Sequence, residues 1–422
     1  MAMSSPESFY DAQEIRGADE REAALMAALP AQIAHAQAQA PAFAGLLQGV
    51  EAARIASRAA LATLPVTRKS ELLARQQAAR AAGGDAFGGF SAIGWGAARR
   101  VFQSPGTIYE PEGARSDYWR VARALHAAGM RAGELLHNSF SYHLTPAGSM
   151  METGAHALGC TVFPGGVGNT ELQLQAMAEL RPQGYVGTPS FLKILLDKAQ
   201  EAGQRLSITK ALVSGEAFPP SLRDWLIERG VRAYQCYATA DIGLIAYETL
   251  AREGLVLDEG VILEIVRPGT GDPVPEGEVG EVVVTTLNPD YPLIRFGTGD
   301  LSAVLPGRCP TGRSNTRIKG WMGRADQSAK VRGMFVHASQ VAELLRRFPG
   351  PLGRARLVVE GEMAQDRMTL KVELSGAAPE GLADQLAGAL RDITKLRGEV
   401  QLLPPGSLPN DGRVIEDARK YD

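Results

Sequence analysis

Cysteine and histidine are scarce in this sequence, at three and six among 422 residues. Cys160, Cys236 and Cys309 are scattered without paired spacing, which argues against a disulfide framework and suits a reducing compartment. Long apolar runs are missing too. No uninterrupted stretch approaches the ~20 residues that span a bilayer, and the polar, acidic start has no apolar segment of signal-peptide type. The expectation is a soluble, cytoplasmic protein with no membrane partner. Neither charge dominates. Lys and Arg number 44 against 47 Asp and Glu, a net charge of −3 with the signs mixed, so nothing marks a nucleic-acid binder. What is plentiful is apolar content, at 45%, enough for at least two domains in a chain of this length.

The pattern of that content alternates. Asp19 to about Gly49 is alanine-rich with apolar residues recurring at three and four, the spacing of helices. Thr67 or Ser70 is placed to cap the helix that follows, and Ser116 to Gly133 reads as an amphipathic helix closed by glycine. Apolar strand-like runs end at Val162–Phe163, in Gln183 to Pro189 and in Ala211–Ser214. Helices follow from Asn169 or Thr170, over Ser190 to Gln200 and over Ser221–Arg229. Strand–helix alternation of this kind predicts a layered α/β domain. From Val261 to Thr286 the chain turns β-rich with Pro-Gly and Glu-Gly hairpin punctuation, which suggests a small, distorted barrel-like part. Beyond Gly323-Arg324-Ala325-Asp326-Gln327 come a helix from about Ser339, strands near Leu357–Val359 and Thr369–Leu374, the helix Leu382 to Leu390 and a strand near Val400–Leu402. These make a small α+β lid. The expected domains are residues 1–325 and 326–422, hinged at Asp326–Gln327.

One stretch draws chemistry to itself. Tyr234 to Gly243 reads Tyr-Gln-Cys-Tyr-Ala-Thr-Ala-Asp-Ile-Gly. Small residues around Tyr237 let a flat ligand approach the backbone beside the phenol ring. Asp241 stands between apolar runs where a carboxylate can hold a hard cation. A core tyrosine and a solvated aspartate fit the same residues. Upstream lies Ser214-Gly215-Glu216-Ala217-Phe218; downstream come Tyr291 to Leu301, containing Arg295-Phe296-Gly297-Thr298-Gly299-Asp300-Leu301, and then Gly323-Arg324-Ala325-Asp326. In this order the pieces resemble the phenylacetate–coenzyme A ligase family of adenylate-forming enzymes, which writes Tyr-Gly-Leu-Ser-Glu, Arg-Tyr-Arg-Thr-Arg/Gly-Asp-Leu and Gly-Arg-Ser-Asp-Asp.

The resemblance implies a fold and a site. The fold is a large layered α/β body with a barrel-like part and a C-terminal lid. Adenine would lie against Tyr237 with Gly215, Glu216 and Ala217, and the ribose on Asp300 and Arg324. Magnesium would sit on Asp241, where the family more often has glutamate. Tyr142, Thr145 and Ala238 would shape the acyl pocket, in which a phenylalanine has become Thr145 and a histidine Glu152. His143 is read as a partly buried histidine with one hydrogen bond, or less often a base. The implied cofactors are ATP/AMP, magnesium and coenzyme A. The implied partner is a small carboxylic acid, with a homodimer left open. Relatives that bind zinc do so at positions matching Thr249, Val256, Cys309 and Thr311; one thiol cannot make a tetrahedral structural site, so no zinc is expected.

Two departures put ligation in question. The family's phosphate loop Ser-Ser-Gly-Thr-Thr-Gly-Lys-Pro is here Ser104-Pro105-Gly106-Thr107-Ile108-Tyr109-Glu110-Pro111. Ser104, Gly106 and Thr107 survive. Proline removes an amide donor, and Glu110 reverses the lysine's charge, which repels a triphosphate unless a metal lies between. Near the C-terminus Arg413 stands where a catalytic lysine belongs, and Lys420 is too near the end to replace it. Three readings follow: an acid–coenzyme A ligase, possessing altered motifs; a nucleotide- or acyl-adenylate-binding relative without ligation; or an acyl-transfer or amide-forming enzyme that reuses the pocket without ATP. With both phosphate-facing lysines gone, AMP is expected to bind about as tightly as ATP.

Overall fold

The computed structural model describes residues 9–104, 107–325, 327–331, 334–348, 350, 352–361 and 367–418. Pro105 and Gly106 of the expected phosphate loop, Asp326 of the expected hinge and Lys420 lie outside the described residues. The chain divides into two compact units. The first takes Met1–Leu263, Val284–Phe296 and Leu305–Gly320; the second takes Glu264–Val283, Gly297–Val304 and Trp321–Asp422.

The first unit is built on a nine-stranded sheet. Five neighbouring strands run parallel, in the order Thr161–Pro164, Leu135–Asn138, Gly184–Gly187, Lys210–Val213 and Arg232–Thr239. The sheet continues antiparallel through Gly243–Glu248, Leu255–Leu257 and Arg317–Ile318, with Val304–Leu305 at its edge. Apolar runs without strict alternation suit strands covered on both faces, and the pleat sends successive residues to opposite sides. Val186, Leu212 and Tyr234 pack with Val121, Leu125, Met150, Met151 and Ala155. Their chain neighbours Tyr185, Ala211, Val213 and Ala233 pack with Leu174, Met177, Leu192, Leu195 and Leu226 on the other side. Each such leucine taken out of water stabilises by about 1.5–3 kcal/mol. The fold is of the α/β class.

The helices mostly fall where the pattern put them, at Ala18–Gln39, Thr170–Leu180, Pro189–Glu201 and Pro220–Glu228. Two expectations are corrected. The helix read over Ser116 to Gly133 is only Ala122–Ala127. Asp117 and Arg120 have φ of +47° and +63°, and the Asp117 carboxylate accepts from the amides of Val121 (2.7 Å) and Ala122 (3.1 Å), which starts the helix late. Neither Thr67 nor Ser70 caps the helix Lys69–Ala81, which has no side-chain cap. The Thr67 hydroxyl donates instead to the Ile294 carbonyl at 3.3 Å.

The β-rich run gives the strands Val261–Val266 and Gly280–Thr286, neighbours in a second sheet that continues through Phe296–Ser302, beyond the run. In the second unit a four-stranded sheet runs in the order Glu399–Leu403, Arg367–Leu374, Leu352–Glu360 and Ile415–Asp417. The helices Ala338–Arg346 and Leu382–Thr394 contribute Val341, Leu344, Leu386 and Leu390 to a core shared with Leu357, Val359, Leu370 and Val372 of that sheet. The strand Ile415–Asp417, parallel to Leu352–Glu360, has no counterpart in the sequence reading. Its three residues hold a single apolar side chain, too little for a period to register.

Candidate active site

The parallel strands end in loops on one rim, and most of the first unit's expected site residues stand on those loops. In chain order the strands step outward from Leu135–Asn138 to Thr161–Pro164, then return past the first to Gly184–Gly187. Strand order thus reverses between Leu135–Asn138 and Gly184–Gly187, the place where open α/β sheets form a crevice at their carboxyl ends. Phe140 and Thr188 follow those two strands. Gly215, two residues past Lys210–Val213, lies against them: a Cβ built on it would be 3.7 Å from Phe140 and 3.8 Å from Thr188. Its φ of +85° is one that glycine adopts freely. Gly215, Glu216 and Ala217 are all exposed. The Glu216 carboxylate accepts from the Ser190 amide (2.6 Å) at the start of the helix Pro189–Glu201, which fixes the loop. Tyr237 is half-buried at a register irregularity between Tyr237 and Ala238, and Ala238 packs against the core beside it. Such bulges re-aim side chains next to sites.

Asp241 occupies the turn between Arg232–Thr239 and Gly243–Glu248, and it is not the solvated aspartate of the plainer reading. It is 4% exposed. Its Oδ2 takes a 2.8 Å ion pair from Lys69, the first residue of the helix Lys69–Ala81, while its Oδ1 is buried without a hydrogen-bond partner. Lys69 went unnoticed as a site residue, because 172 positions separate the two and no local pattern links them.

The phosphate-loop segment folds as a hairpin of Arg100–Ser104 and Ile108–Glu112, with Ser104 opposite Ile108. Thr107 is exposed at its turn with φ of +66°. Ser104 is buried, and its hydroxyl donates to Glu110 Oε1 at 2.5 Å. Glu110 is fully buried, and Oε2 has no partner. Burial first, then the nearby Asp241 charge, pushes the Glu110 carboxyl up to about 8; Ser104 and Lys69 oppose this. Glu110 and Asp241 thus sense each other. So does Tyr291, whose hydroxyl is buried without a partner and pushed well up by burial and then by Asp241 and Glu110. Glu112, two residues on, is fully engaged. It accepts from Arg100 (2.5 Å), from the Trp119 indole (3.0 Å) and from the Ser149 hydroxyl (2.8 Å).

Of the expected acyl-pocket residues, Tyr142 and Thr145 lie on the loop after Leu135–Asn138. The Tyr142 hydroxyl donates to Glu152 and accepts from the Asn138 amide, both at 2.8 Å. Burial and then Glu152 push its pKa far above the usual range. The substituted Glu152 is therefore one half of a polar pair with the pocket residue Tyr142. His143 is exposed, which corrects its reading as partly buried. At the positions where relatives bind zinc, the Cys309 thiol lies 3.3 Å from the Thr249 hydroxyl and 3.1 Å from that of Thr311. Arg313 donates to Thr311 at 3.0 Å and to the buried Glu14 at 2.8 Å. Among the described residues no group of three His, Cys, Asp or Glu side chains is placed to hold a metal.

The second unit carries the other expected contacts. Asp300 accepts through Oδ1 from Arg324 (3.0 Å) and from the Trp321 indole (3.1 Å). Gly299 makes room for the guanidinium, since a Cβ there would stand 2.6 Å from Arg324 Nη2. Arg413 is well exposed, its Nε 4.0 Å from Asp411, and its carbonyl accepts from Arg356 at 3.1 Å.

Comparison with known proteins shows the family and the fold. Residues 120–288 match the family model described as AMP-binding enzyme. A phenylacetate-coenzyme A ligase of Thermus thermophilus is 33% identical over 332 residues, covering 71% of this chain and 75% of that protein. One from Aromatoleum evansii is 30% identical over 382 residues, covering 85% and 84%. Among solved structures, 2-hydroxyisobutyryl-CoA ligase in the postadenylation state with R3-HIB-AMP superposes with a TM-score of 0.69 at 25% identity, covering 96% of this chain and 91% of that one. The fold and the motifs define an AMP-binding, adenylate-forming type of protein. The chain belongs to the phenylacetate–coenzyme A ligase family. Among the described residues no helix is long and apolar enough to cross a membrane, and all three cysteines are buried and free.

Proposed function

We propose that this chain is an ATP-dependent carboxylic acid–coenzyme A ligase. A carboxylate oxygen attacks the α-phosphorus of ATP and pyrophosphate leaves. The coenzyme A sulfur then attacks the acyl carbonyl and AMP leaves. Such chemistry asks the protein for position and charge neutralisation and for little covalent work. One observation carries the reading: Tyr142, Gly215, Glu216 and Tyr237 stand on loops or strand ends at the carboxyl rim of the parallel strands, beside the strand-order reversal.

In this reading Tyr237 walls the adenine with the Gly215–Ala217 backbone, and Asp300, held by Arg324, accepts from the ribose hydroxyls. Thr107 and, by the family resemblance, Gly106 serve the phosphates, whereas Ser104 serves through Glu110. Arg413 supplies lid charge where the family has lysine. Asp241 fits a magnesium ion, because one buried carboxylate oxygen there is without a partner. A bound magnesium would neutralise phosphate charge. With Thr145 and Ala238 as the other pocket residues that the resemblance implies, the Tyr142–Glu152 pair suits a small, polar acid better than phenylacetate. A body to residue 325 and a lid over 326–422, hinged at Asp326–Gln327, would open the way for coenzyme A. Gln327 is tied to the lid's tail, donating to the Gly412 carbonyl (2.9 Å) and accepting from the Val414 (2.6 Å) and Ile415 (2.9 Å) amides. A cytoplasmic location accords with the free cysteines.

Calorimetry with AMP tests the nucleotide assignment. Wild type should bind, and Asp300→Ala should bind at least tenfold more weakly, since a charge-assisted hydrogen bond contributes about 1.5–3 kcal/mol. Equal binding by the two proteins, or none by either, would make the assignment wrong.

A further inference from the structure

Glu110 is the residue the family resemblance leaves without a use. In place of a cation it brings a carboxylate to the hairpin, and the fold buries that carboxylate completely. Its neighbourhood is not random. Glu110 Oε2, Asp241 Oδ1 and Tyr291 Oη are each buried without a partner. The helix Lys69–Ala81 joins the first two: Lys69 pairs with Asp241 at 2.8 Å, and Gln76 bonds both backbone groups of Tyr109, next to Glu110. All three groups sense one another's charge. They are 0%, 4% and 2% exposed. The remaining carboxylate oxygens are taken, Glu110 Oε1 by Ser104 and Asp241 Oδ2 by Lys69. A buried carboxylate oxygen left unpaired costs its full desolvation penalty, and ionising both groups in one neighbourhood would add their repulsion. A cation between them would relieve both terms.

We propose that Glu110 and Asp241 form a two-carboxylate site for a small divalent cation, with Tyr291 on its wall. The donors are hard oxygens, and no thiol or imidazole joins them, which selects magnesium or manganese over zinc. Two carboxylates leave most positions of an octahedral ion open. Magnesium is bound in that manner, by one or two protein carboxylates together with water and substrate phosphates. The second part of the inference rests on the proposed nucleotide site: the ion carries the positive charge that the family's loop lysine carries elsewhere. Glu110 is then a metal ligand, and its reversed charge is what recruits the ion. Asp241, one carbon shorter than the family's glutamate, shares the ion with a second residue.

The test is a manganese titration of the full chain, without nucleotide, read by electron paramagnetic resonance of the free ion and competed with magnesium. Wild type should show one saturable site. Glu110→Gln and Asp241→Asn should each weaken it at least tenfold, and Glu110→Asp should retain it within severalfold. Folding is checked by thermal melting in chelator; if one amide variant fails to fold, the other serves. No saturable site in wild type, or wild-type affinity in a folded Glu110→Gln or Asp241→Asn, overturns the proposal. AMP binding is measured separately in chelator. Its absence beside an intact manganese site would sink the nucleotide reading and leave the cation site standing.

Discussion

Asp117 shows how much one buried carboxylate can set. It opens the helix Ala122–Ala127 by accepting two amides, and burial, only partly offset by them, raises its carboxyl to about 6 from 3.8. A raised folded-state value means that this residue's contribution to stability is complete below about pH 4 and is lost as pH rises through about 6. The loss is at most about 3 kcal/mol. Urea unfolding between pH 4 and 7 should therefore show a fall in stability that is shallower in Asp117→Asn. Equal slopes would remove Asp117 as its source. The same residue scale explains what could not be read beforehand. Glu110, Asp241, Lys69 and Tyr291 come from four separate stretches, so their meeting depends on the fold, and no spacing in the chain announces it. Tyr237 and Asp241 were legible because they lie four positions apart in one motif.

At the scale of elements, the hairpin Arg100–Glu112 is where this chain departs from its family. Ser104 pairs with Ile108 across it, and Gln76 holds Tyr109 from the neighbouring helix: its side-chain oxygen accepts the Tyr109 amide at 2.8 Å, and its side-chain nitrogen donates to the Tyr109 carbonyl at 2.9 Å. Arg80 lies over the Tyr109 ring at 4.9 Å. Ile108, Tyr109 and Glu110, which break the family loop, thus each have a structural partner. Without divalent cation, AMP and ATP should bind within about threefold of each other by calorimetry, since no side-chain cation of the loop meets the outer phosphates. Restoring the loop with Pro105→Ser, Ile108→Thr, Tyr109→Gly and Glu110→Lys should raise ATP affinity under those conditions by tenfold or more, about 1.4 kcal/mol. An ATP preference of that size already present in metal-free wild type would contradict this. The helices Ala338–Arg346 and Leu382–Thr394 of the second unit were the most legible, because Val341 and Leu344, or Leu386 and Leu390, recur at helical spacing over a polar face. The helix beginning at Ala122 was misjudged because Tyr118 and Val121 continue the same apolar period into a turn made by Asp117 and Arg120. Period alone cannot see a left-handed residue.

For the whole molecule, the α/β body and its order of motifs followed from strand–helix alternation, while the reaction followed from family membership and from side chains gathered at the strand ends. The central claim is that a carboxylic acid is joined to AMP on the way to a thioester. Labelling tests it most directly. A panel of aryl and short hydroxy acids, each carrying 18O in the carboxyl group, is incubated with the protein, ATP, magnesium and coenzyme A, and the released AMP is weighed by mass spectrometry. The carboxylate oxygen that attacks the α-phosphorus stays on it when sulfur displaces AMP. With the accepted acid, AMP should therefore gain one 18O, together with an equal amount of pyrophosphate and of acyl–coenzyme A. Acid-dependent thioester with unlabelled AMP, or no acid-dependent AMP with any acid although AMP itself binds, would contradict the ligase reading.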